Sequence, residues 1–300
     1  MMDITVLGSS ASAPTPQRSL PSIAVQINGD IILLDCGEGA QRQMMLHGAS
    51  YAKVKAALIS HLHLDHFLGL FGLGETLRLS GRVEPIKVFG PPGTRKFLYS
   101  FGHREIFDVH EITKADCSKK KPLHIMQNHQ IFCFPASHGK RTNAFGYIIA
   151  ENARLRFHEK KAKSLGLAGP LFSQIQKKGK LKIGKRIIRL KDITYLQKGL
   201  RLAYSGDSLP CAATTTAAKN ADLLIHDCTF DDSRADLAKE KFHTTASQAA
   251  KIAKIAKAKS LLLTHIGGKY SKDASILLEQ AKKIFPNSQI AQDGMKITLK

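Results

Sequence analysis

The residues best placed to do chemistry are His61-Leu62-His63-Leu64-Asp65-His66. Six positions carry three imidazoles and a carboxylate, the groups that hold zinc and related divalent ions. Spacing matters as much as type. On an extended loop His61 and His63 project to one side and can grip one ion, while Asp65 and His66, further along, can face a second. Such a loop needs a rigid element to present it. Just before it, Lys55-Ala56-Ala57-Leu58-Ile59-Ser60 is a short, bounded apolar run that predicts a buried strand. After it, Phe67-Leu68-Gly69-Leu70-Phe71 opens a helical pattern running to residue 79. The four groups therefore fall on a tight loop at the C-terminal end of a strand, the edge where open α/β sheets bind ligands.

Other candidate residues also sit at strand ends. Residues 2–8 alternate as a strand and break at Gly8-Ser9-Ser10, in a loop that carries Arg18. Ser22 to Ile27 and Asp30 to Asp35 predict a hairpin around Asn28-Gly29, followed by a helix from Gln41 to His47. Asp35, at the end of that hairpin, is either a turn former or a partner that orients a ligand histidine. Pro85 to Gly90 predicts a strand, and Pro91-Pro92 a helix with proline in its first turn. His103, His110, His124 and His129 lie in polar sequence and read as solvated or structural. Ile131 to Ala136 predicts a strand ending at Ser137-His138-Gly139, paired with Phe145 to Ile149. Leu200 to Tyr204 ends at Ser205-Gly206-Asp207, where a carboxylate on a tight turn can bridge two metals. Ala221 to Ile225 leads into His226-Asp227-Cys228-Thr229. His243-Thr244-Thr245 opens a helix over 246–257, and Ser260 to Thr264 predicts a strand that ends in His265. Helix 272–284 and strand 295–299 follow. Two halves, each giving strands then helices, fit an αββα sandwich.

The chain has 300 residues, 43% of them hydrophobic, enough for one large core, so residues 1–300 are expected to form a single domain. No apolar stretch approaches membrane-spanning length and no charged-then-apolar leader is present, which predicts a soluble protein with no export signal and no membrane partner. Five irregularly spaced cysteines argue against a disulfide framework, and the lack of C-x-x-C against a thiolate zinc site; a reducing cytoplasm fits. The net charge of +21 and pI near 9.8 are extreme for a metabolic enzyme and ordinary for a nucleic-acid binder. Between Arg154 and Arg201 stand 15 Lys/Arg against two acids, a net +13. A basic arm meeting a polyanion accounts for that density. Lys177, Lys178, Lys180, Lys182, Lys185, Arg186 and Arg189 are close enough to track a phosphate backbone.

The loop 61–66 resembles the H-x-H-x-D-H signature of metallo-β-lactamase-fold hydrolases, which bind two metals with this loop and three later ligands. The opening LGSSASAPTPQRSLPSIAV, then ILLDCGEGAQRQM, and the later KAKSLGLAGPLFSQIQKKG resemble the ribonuclease Z family, endonucleases that trim the 3′ side of precursor tRNA. The resemblance runs from residue 2 to about residue 295. It implies an α/β fold, a metallo-β-lactamase-type αββα sandwich, with a flexible basic arm inserted at 157–190 that grips the tRNA elbow. Gly169, Pro170, Lys177, Lys178, Lys180, Lys182, Lys185 and Arg186 would be its RNA contacts. By the same resemblance two zinc ions are held per chain, one by His61, His63 and His138, the other by Asp65, His66 and His265, with Asp207 bridging. Asp65 would accept the proton of the attacking water, and His243, steered by Asp227, would protonate the leaving ribose oxygen. A homodimer is implied as well. The sequence departs from the family at two motifs: H-E-A-T is here His226-Asp227-Cys228-Thr229, and D-T-R-P is Asp207-Ser208-Leu209-Pro210, without the arginine. Two other readings compete. A small-molecule or phosphodiester hydrolase of the same fold leaves the basic stretch unexplained. An RNA-binding protein with structural zinc would need only a closed four-ligand cage, and seven candidate ligands exceed that.

Overall fold

A computed structural model describes residues 1–118 and 121–300. Strands β1 (Met2–Gly8), β2 (Ser22–Ile27) and β3 (Asp30–Cys36) form an antiparallel meander. Its second turn is Asn28-Gly29, both residues at positive φ, as a two-residue hairpin requires. After helix α1 (Ala40–His47) the connections become crossovers. Strand β4 (Val54–Leu58), helices α2 (Leu64–Phe67) and α3 (Gly69–Leu79), β5 (Ile86–Gly90), α4 (Thr94–Ser100) and β6 (Phe107–Glu111) follow, with β3 to β6 parallel. Helix α4 departs from the sequence expectation. Pro91 and Pro92 lie ahead of it, and Gly93, at φ 102°, is its N-cap, so no proline occupies the first turn.

Helix α5 (Lys114–Ser118) leads to β7 (His124–Met126), β8 (His129–Pro135) and β9 (Phe145–Glu151). Residues 151–199 then form a compact unit of their own. It holds β10 (Arg154–Phe157), α6 (Glu159–Ser164), α7 (Pro170–Lys178), β11 (Lys180–Ile183), β12 (Arg186–Arg189) and β13 (Thr194–Gln197). The larger unit resumes with β14 (Arg201–Tyr204), α8 (Ala212–Ala217), β15 (Leu223–Asp227), α9 (Ala235–Glu240), α10 (Ala246–Ala256), β16 (Leu261–Thr264), α11 (Ser275–Ile284), β17 (Ser288–Ile290) and β18 (Lys296–Leu299).

Two seven-stranded sheets result, ordered β18-β1-β2-β3-β4-β5-β6 and β17-β16-β15-β14-β9-β8-β7. Their inner faces share one apolar layer, in which Ile4, Val25 and Leu34 meet Tyr147, Ile149, Leu202 and Ile225. On the outer face of the first sheet Leu70, Leu73, Leu77 and Leu98 pack from helices α3 and α4. On the outer face of the second, Ala249, Ala253, Leu277 and Ala281 pack from α10 and α11. The layers therefore run αββα, as two patterned halves predict. Each fully buried leucine or isoleucine contributes about 1.5–3 kcal/mol. Helix α3 begins at Gly69 because nothing larger fits: a Cβ there would lie 1.9 Å from the Gly37 carbonyl oxygen.

The cysteine expectation is corrected. Cys117 on α5 and Cys133 on β8 form a disulfide with Cα atoms 5.0 Å apart, while Cys36, Cys211 and Cys228 are free. Spacing along the chain could not reveal that α5 folds back onto β8. The second unit begins before residue 157 and ends after 190, because β10 pairs with β13 in antiparallel register, Arg154 opposite Gln197. It has a small core of its own, Ala162, Leu167, Ile175, Ile188 and Ile193, with Phe157, Phe172 and Leu181 around it. Gly169 is the N-cap of α7 and Pro170 stands in its first turn, where a missing N–H costs nothing.

The register of β9 against β14 yields a test of this division. Ala150 lies opposite Arg201, so the two ends of the excursion are hairpin neighbours. Replacing residues 152–199 by Asn-Gly should close that hairpin and leave the larger unit folded. Its thermal midpoint should stay within about 4 °C of the full chain, a change of about 1 kcal/mol. Circular dichroism showing a loss of cooperative unfolding would overturn the division.

Candidate metal centre

Strand ends deliver every candidate ligand to one place. His61 to His66 follow β4, His138 follows β8, Asp207 follows β14 and His265 follows β16. Gly206 makes the β14 turn possible: its φ is +59°, and a Cβ there would come within 2.6 Å of Ser60 Cβ. The Asp207 Oδ2 atom sits amid the cluster, 3.2 Å from His66 Nε2, 3.3 Å from His265 Nε2, 3.8 Å from His61 Nε2 and 4.0 Å from His138 Nε2. His138 Nε2 is 3.3 Å from His63 Nδ1, and Asp65 Oδ2 is 3.4 Å from His66 Nε2 and 3.6 Å from His265 Nε2. Four overlapping groups of potential ligands have their donor atoms within 4.8 Å of one another: His61-His63-His138, His61-His66-Asp207, Asp65-His66-His265 and Asp207-Asp227-His243-His265. The first and third have the membership expected from the sequence, and Asp207 enters the other two.

The donor set fits a divalent cation. The Nε2 atoms of His61, His66 and His265 are buried and make no hydrogen bond within the protein. Buried polar nitrogens left without a partner are costly, and three aimed at one spot define a place for a Lewis acid. The other ring nitrogens explain why Nε2 faces inward. His66 Nδ1 donates to Asp35 Oδ2 at 2.7 Å, and His61 Nδ1 donates to Ser60 Oγ at 3.0 Å. His138 Nδ1 donates to the Phe242 carbonyl at 3.0 Å and His265 Nδ1 to Thr229 Oγ1 at 2.8 Å. Each outward bond fixes the tautomer and turns the bare nitrogen to the pocket. The cluster fits a metal-binding site.

Asp35 resolves the alternative that the sequence left open, since it orients His66. It is fully buried, and beyond His66 its carboxylate accepts from the Ser60 N–H and hydroxyl and from Tyr204. It stands at φ +54°, and His265 at +57°. A non-glycine residue there costs of order 1–3 kcal/mol, held by surrounding structure. Asp65 Oδ2 accepts from the Ser12 N–H at 3.1 Å, so the first loop of the chain helps aim it.

Electrostatics follow from this crowding. Burial, then the neighbouring His66, holds His61 well below the usual imidazole range, and burial lowers His63 and His138. His66 goes the other way. Burial opposes its charge, but Asp207 and Asp35 outweigh that and raise it well above the usual value. Burial likewise opposes ionised Asp65, yet the neighbouring His265 and His66 imidazoles hold its carboxyl far below the ordinary range.

His243 and Asp227 lie beside the cluster. The His243 ring is 5.0 Å from the rings of both His138 and His265, and its Nδ1 is 2.9 Å from Asp227 Oδ2. Burial opposes its protonation, but Asp227 overrides that and lifts it to about 9. The departure at Asp227 is thus accommodated, since an aspartate reaches the ring. Where the family has arginine after Asp207, the chain has Leu209, and Ser208 instead bonds the backbone of Ser137 and receives Thr244 on its carbonyl.

Sequence reasoning missed Ser60, Tyr204 and Thr229, which support ligands, and Arg141, which with Asn143, Pro91 and Pro92 lines a cavity of about 210 Å³ beside His63. Ser60 and Thr229 neighbour motif residues, and that adjacency was the available signal. Tyr204 gave none. The histidines read as structural stay outside the cluster: His103 and His129 are buried, and His110 and His124 pack against Phe89. The RNA-contact candidates all belong to the second unit. Lys177, Lys178, Lys180, Lys182, Lys185 and Arg186 are exposed, and none pairs with a carboxylate among the described residues.

Comparison with known proteins bears on the family of the chain. A family model described as the β-lactamase superfamily domain matches residues 31–158. A ribonuclease Z of Methanosarcina acetivorans is 36% identical, with the alignment covering 100% of this chain and 98% of that one. A ribonuclease Z of Archaeoglobus fulgidus is 39% identical over 99% of this chain and 97% of its own. The crystal structure of human tRNase Z, short form, superposes with a TM-score of 0.70 at 27% identity, covering 99% of both chains. With more than a third of its residues shared along its whole length, the chain belongs to the ribonuclease Z family within the β-lactamase superfamily.

Proposed function

We propose that the protein is a metal-dependent endoribonuclease that cuts precursor tRNA on its 3′ side and leaves the mature end with a 3′-hydroxyl. The observation that carries this reading is the convergence of seven candidate ligands with a separate imidazole–carboxylate pair, His243 and Asp227, at one edge of the sandwich. The names of its full-length relatives support it. A small-molecule hydrolase would use the same cluster but has no need of residues 151–199, which carry 14 Lys/Arg against three acids.

In this reading His61, His63 and His138 would hold one zinc ion and Asp65, His66 and His265 another, and Asp207 would supply a further carboxylate ligand. When bound, two such cations polarise the phosphodiester and bring the pKa of a water nucleophile from ~15.7 toward ~7. The chain does the rest. Asp65, fixed by Ser12, accepts the proton of the attacking water. The water oxygen bonds to phosphorus while the bond from phosphorus to the ribose 3′ oxygen breaks. His243 gives that oxygen its proton, and Asp227 keeps the imidazole aimed and stabilises its charge. The 151–199 unit serves as a tRNA-binding arm. Its strand β11 alternates, with Leu181 and Ile183 half-buried and Lys180 and Lys182 exposed to phosphate. The protein acts in the cytoplasm, where its substrate is made, and no described helix is long and apolar enough to cross a membrane. It works as a homodimer, a reading supported by exposed Leu64 and Phe101 over a cavity of about 630 Å³ lined by Phe67, Phe71 and Phe97.

Purified protein given a 3′-extended tRNA precursor should release a trailer and a tRNA ending in a 3′-hydroxyl, and elemental analysis of that preparation should find two zinc ions per chain. Hydrolysis of a thioester with no cleavage of precursor would sink the reading. His243→Ala should lower kcat on precursor tRNA by about 10²–10⁴-fold. The defect should shrink on bis-p-nitrophenyl phosphate, whose leaving group needs no proton; an equal loss on both substrates counts against the proton-donor role. For the arm, residues 157–190 hold ten Lys/Arg. If half meet phosphates, tRNA affinity should fall with salt at a log–log slope of roughly −3 to −5. The 152–199 replacement should bind more weakly and with a flatter slope while keeping small-ester hydrolysis. Unchanged affinity in that variant would refute the arm.

A further inference from the structure

We propose that Thr229 is a positioning residue whose hydroxyl couples His265 to the Asp227 carboxylate that holds His243, so that one side chain sets both the metal pocket and the proton donor. This rests on the reading of His265 as a ligand and His243 as the donor.

The hydrogen bonds allow one arrangement. An ionised carboxylate only accepts, so the single Thr229 proton goes to Asp227 Oδ1, 2.7 Å away. The Thr229 oxygen then accepts from His265 Nδ1–H at 2.8 Å. That leaves His265 Nε2 bare, and it is one of the buried nitrogens without a protein partner. Asp227 does not reach His265 itself: Oδ1 to Nδ1 is 3.8 Å, beyond hydrogen-bond range. The hydroxyl fills that gap. The Thr229 N–H also donates to Asp227 Oδ1 at 3.1 Å, so side chain and backbone together pin this oxygen. The other oxygen, Oδ2, receives His243 Nδ1 at 2.9 Å and the Ser208 N–H at 3.4 Å. Rotation of the carboxylate would move both imidazoles at once. Thr229 is 6% exposed, so water cannot replace the hydroxyl without a cavity being opened.

Ser60 provides an internal comparison. Its hydroxyl donates to Asp35 Oδ2 at 2.8 Å and accepts from His61 Nδ1 at 3.0 Å. Asp35 also binds His66 directly. Each carboxylate thus takes one histidine directly and a second through a hydroxyl. At Asp35 both histidines belong to the candidate ligand set. At Asp227 one does and the other is the proton donor, so only the Thr229 relay joins binding to proton transfer.

The test uses the full-length protein with Thr229→Val, which keeps the shape and removes the hydroxyl, and Thr229→Ser, which restores it. Cobalt(II) added to metal-stripped protein reports the pocket through its visible absorption without any RNA. Thr229→Val should weaken cobalt binding by about 10–100-fold and alter the absorption band, and Thr229→Ser should return both toward the parent. On precursor tRNA the valine variant, metal-saturated, should lose kcat by about 10-fold or more with KM little changed, because the arm is untouched. In a His243→Ala background, metal-saturated, the same substitution should cost much less, since no donor remains to misplace. Parental cobalt affinity and spectrum in Thr229→Val overturn the proposal, as does a serine variant as impaired as the valine one. If the parent protein bound cobalt as described but cut no tRNA, the RNA reading would fail and the link from Thr229 to His265 would stand.

Discussion

Two buried carboxylates constrain everything else in this site. Asp35 and Asp227 are fully buried, and an ionised carboxylate taken from water costs several kcal/mol unless donors surround it. The fold meets that cost by making each the hub of a donor set drawn from separate strands. Asp35 sits at the end of β3, in a left-handed conformation that turns its side chain toward His66. Its donors come from the loop after β4 and, through Tyr204, from β14 of the other sheet. Asp227 ends β15 and gathers Thr229 and His243. Because Asp35 is satisfied only when both sheets are in place, the orientation of His66 is a consequence of the sandwich being closed.

The pocket between the hubs is built the other way. There the polar atoms are left short of partners. Bare Nε2 atoms of His61, His66 and His265 surround a carboxylate oxygen at 3.2 to 3.8 Å. Satisfied outer bonds and unsatisfied inner ones make a rigid socket, the arrangement that keeps metal affinity high without rearrangement on binding. The same crowding explains why neighbouring histidines diverge in acidity. Burial, reinforced by neighbouring imidazoles, pushes His61 down, while Asp207 and Asp35 outweigh the same burial and push His66 up.

Much of this was legible in the sequence, for physical reasons. Strand ends marked by an apolar run followed by a polar loop placed every candidate ligand, because only strand ends can converge on one edge of a sheet. The Asn28-Gly29 hairpin was equally visible, since it depends on backbone rules local to a few residues. What was hidden required tertiary knowledge. Tyr204 reads as a core aromatic until the partner sheet is in place. The pairing of Cys117 with Cys133 depends on α5 folding back. Proline at 91 and 92 suggested a helix start, but a glycine cap at Gly93 took that role. The ends of the second unit were misplaced by a few residues because short strands in polar, basic sequence carry a weak period-two signal.

The charge distribution separates the candidate metal site from the densest basic surface of the chain. Residues 151–199 carry a net +11 of the total +21 in a unit with a small core. Such a core tolerates a dense basic surface because exposed lysines snorkel and their mutual repulsion is screened within about 10 Å at 0.1 M salt. A catalytic pocket has the opposite requirement. Its charges must be few, buried and fixed, because in a low-dielectric site each one shifts its neighbours strongly. A basic stretch next to Asp35 or Asp227 would compete for the carboxylates that orient the histidines. Housing the densest basic surface in a separately cored insertion keeps that charge in its own unit, while the geometry of the site is set by hydrogen bonds.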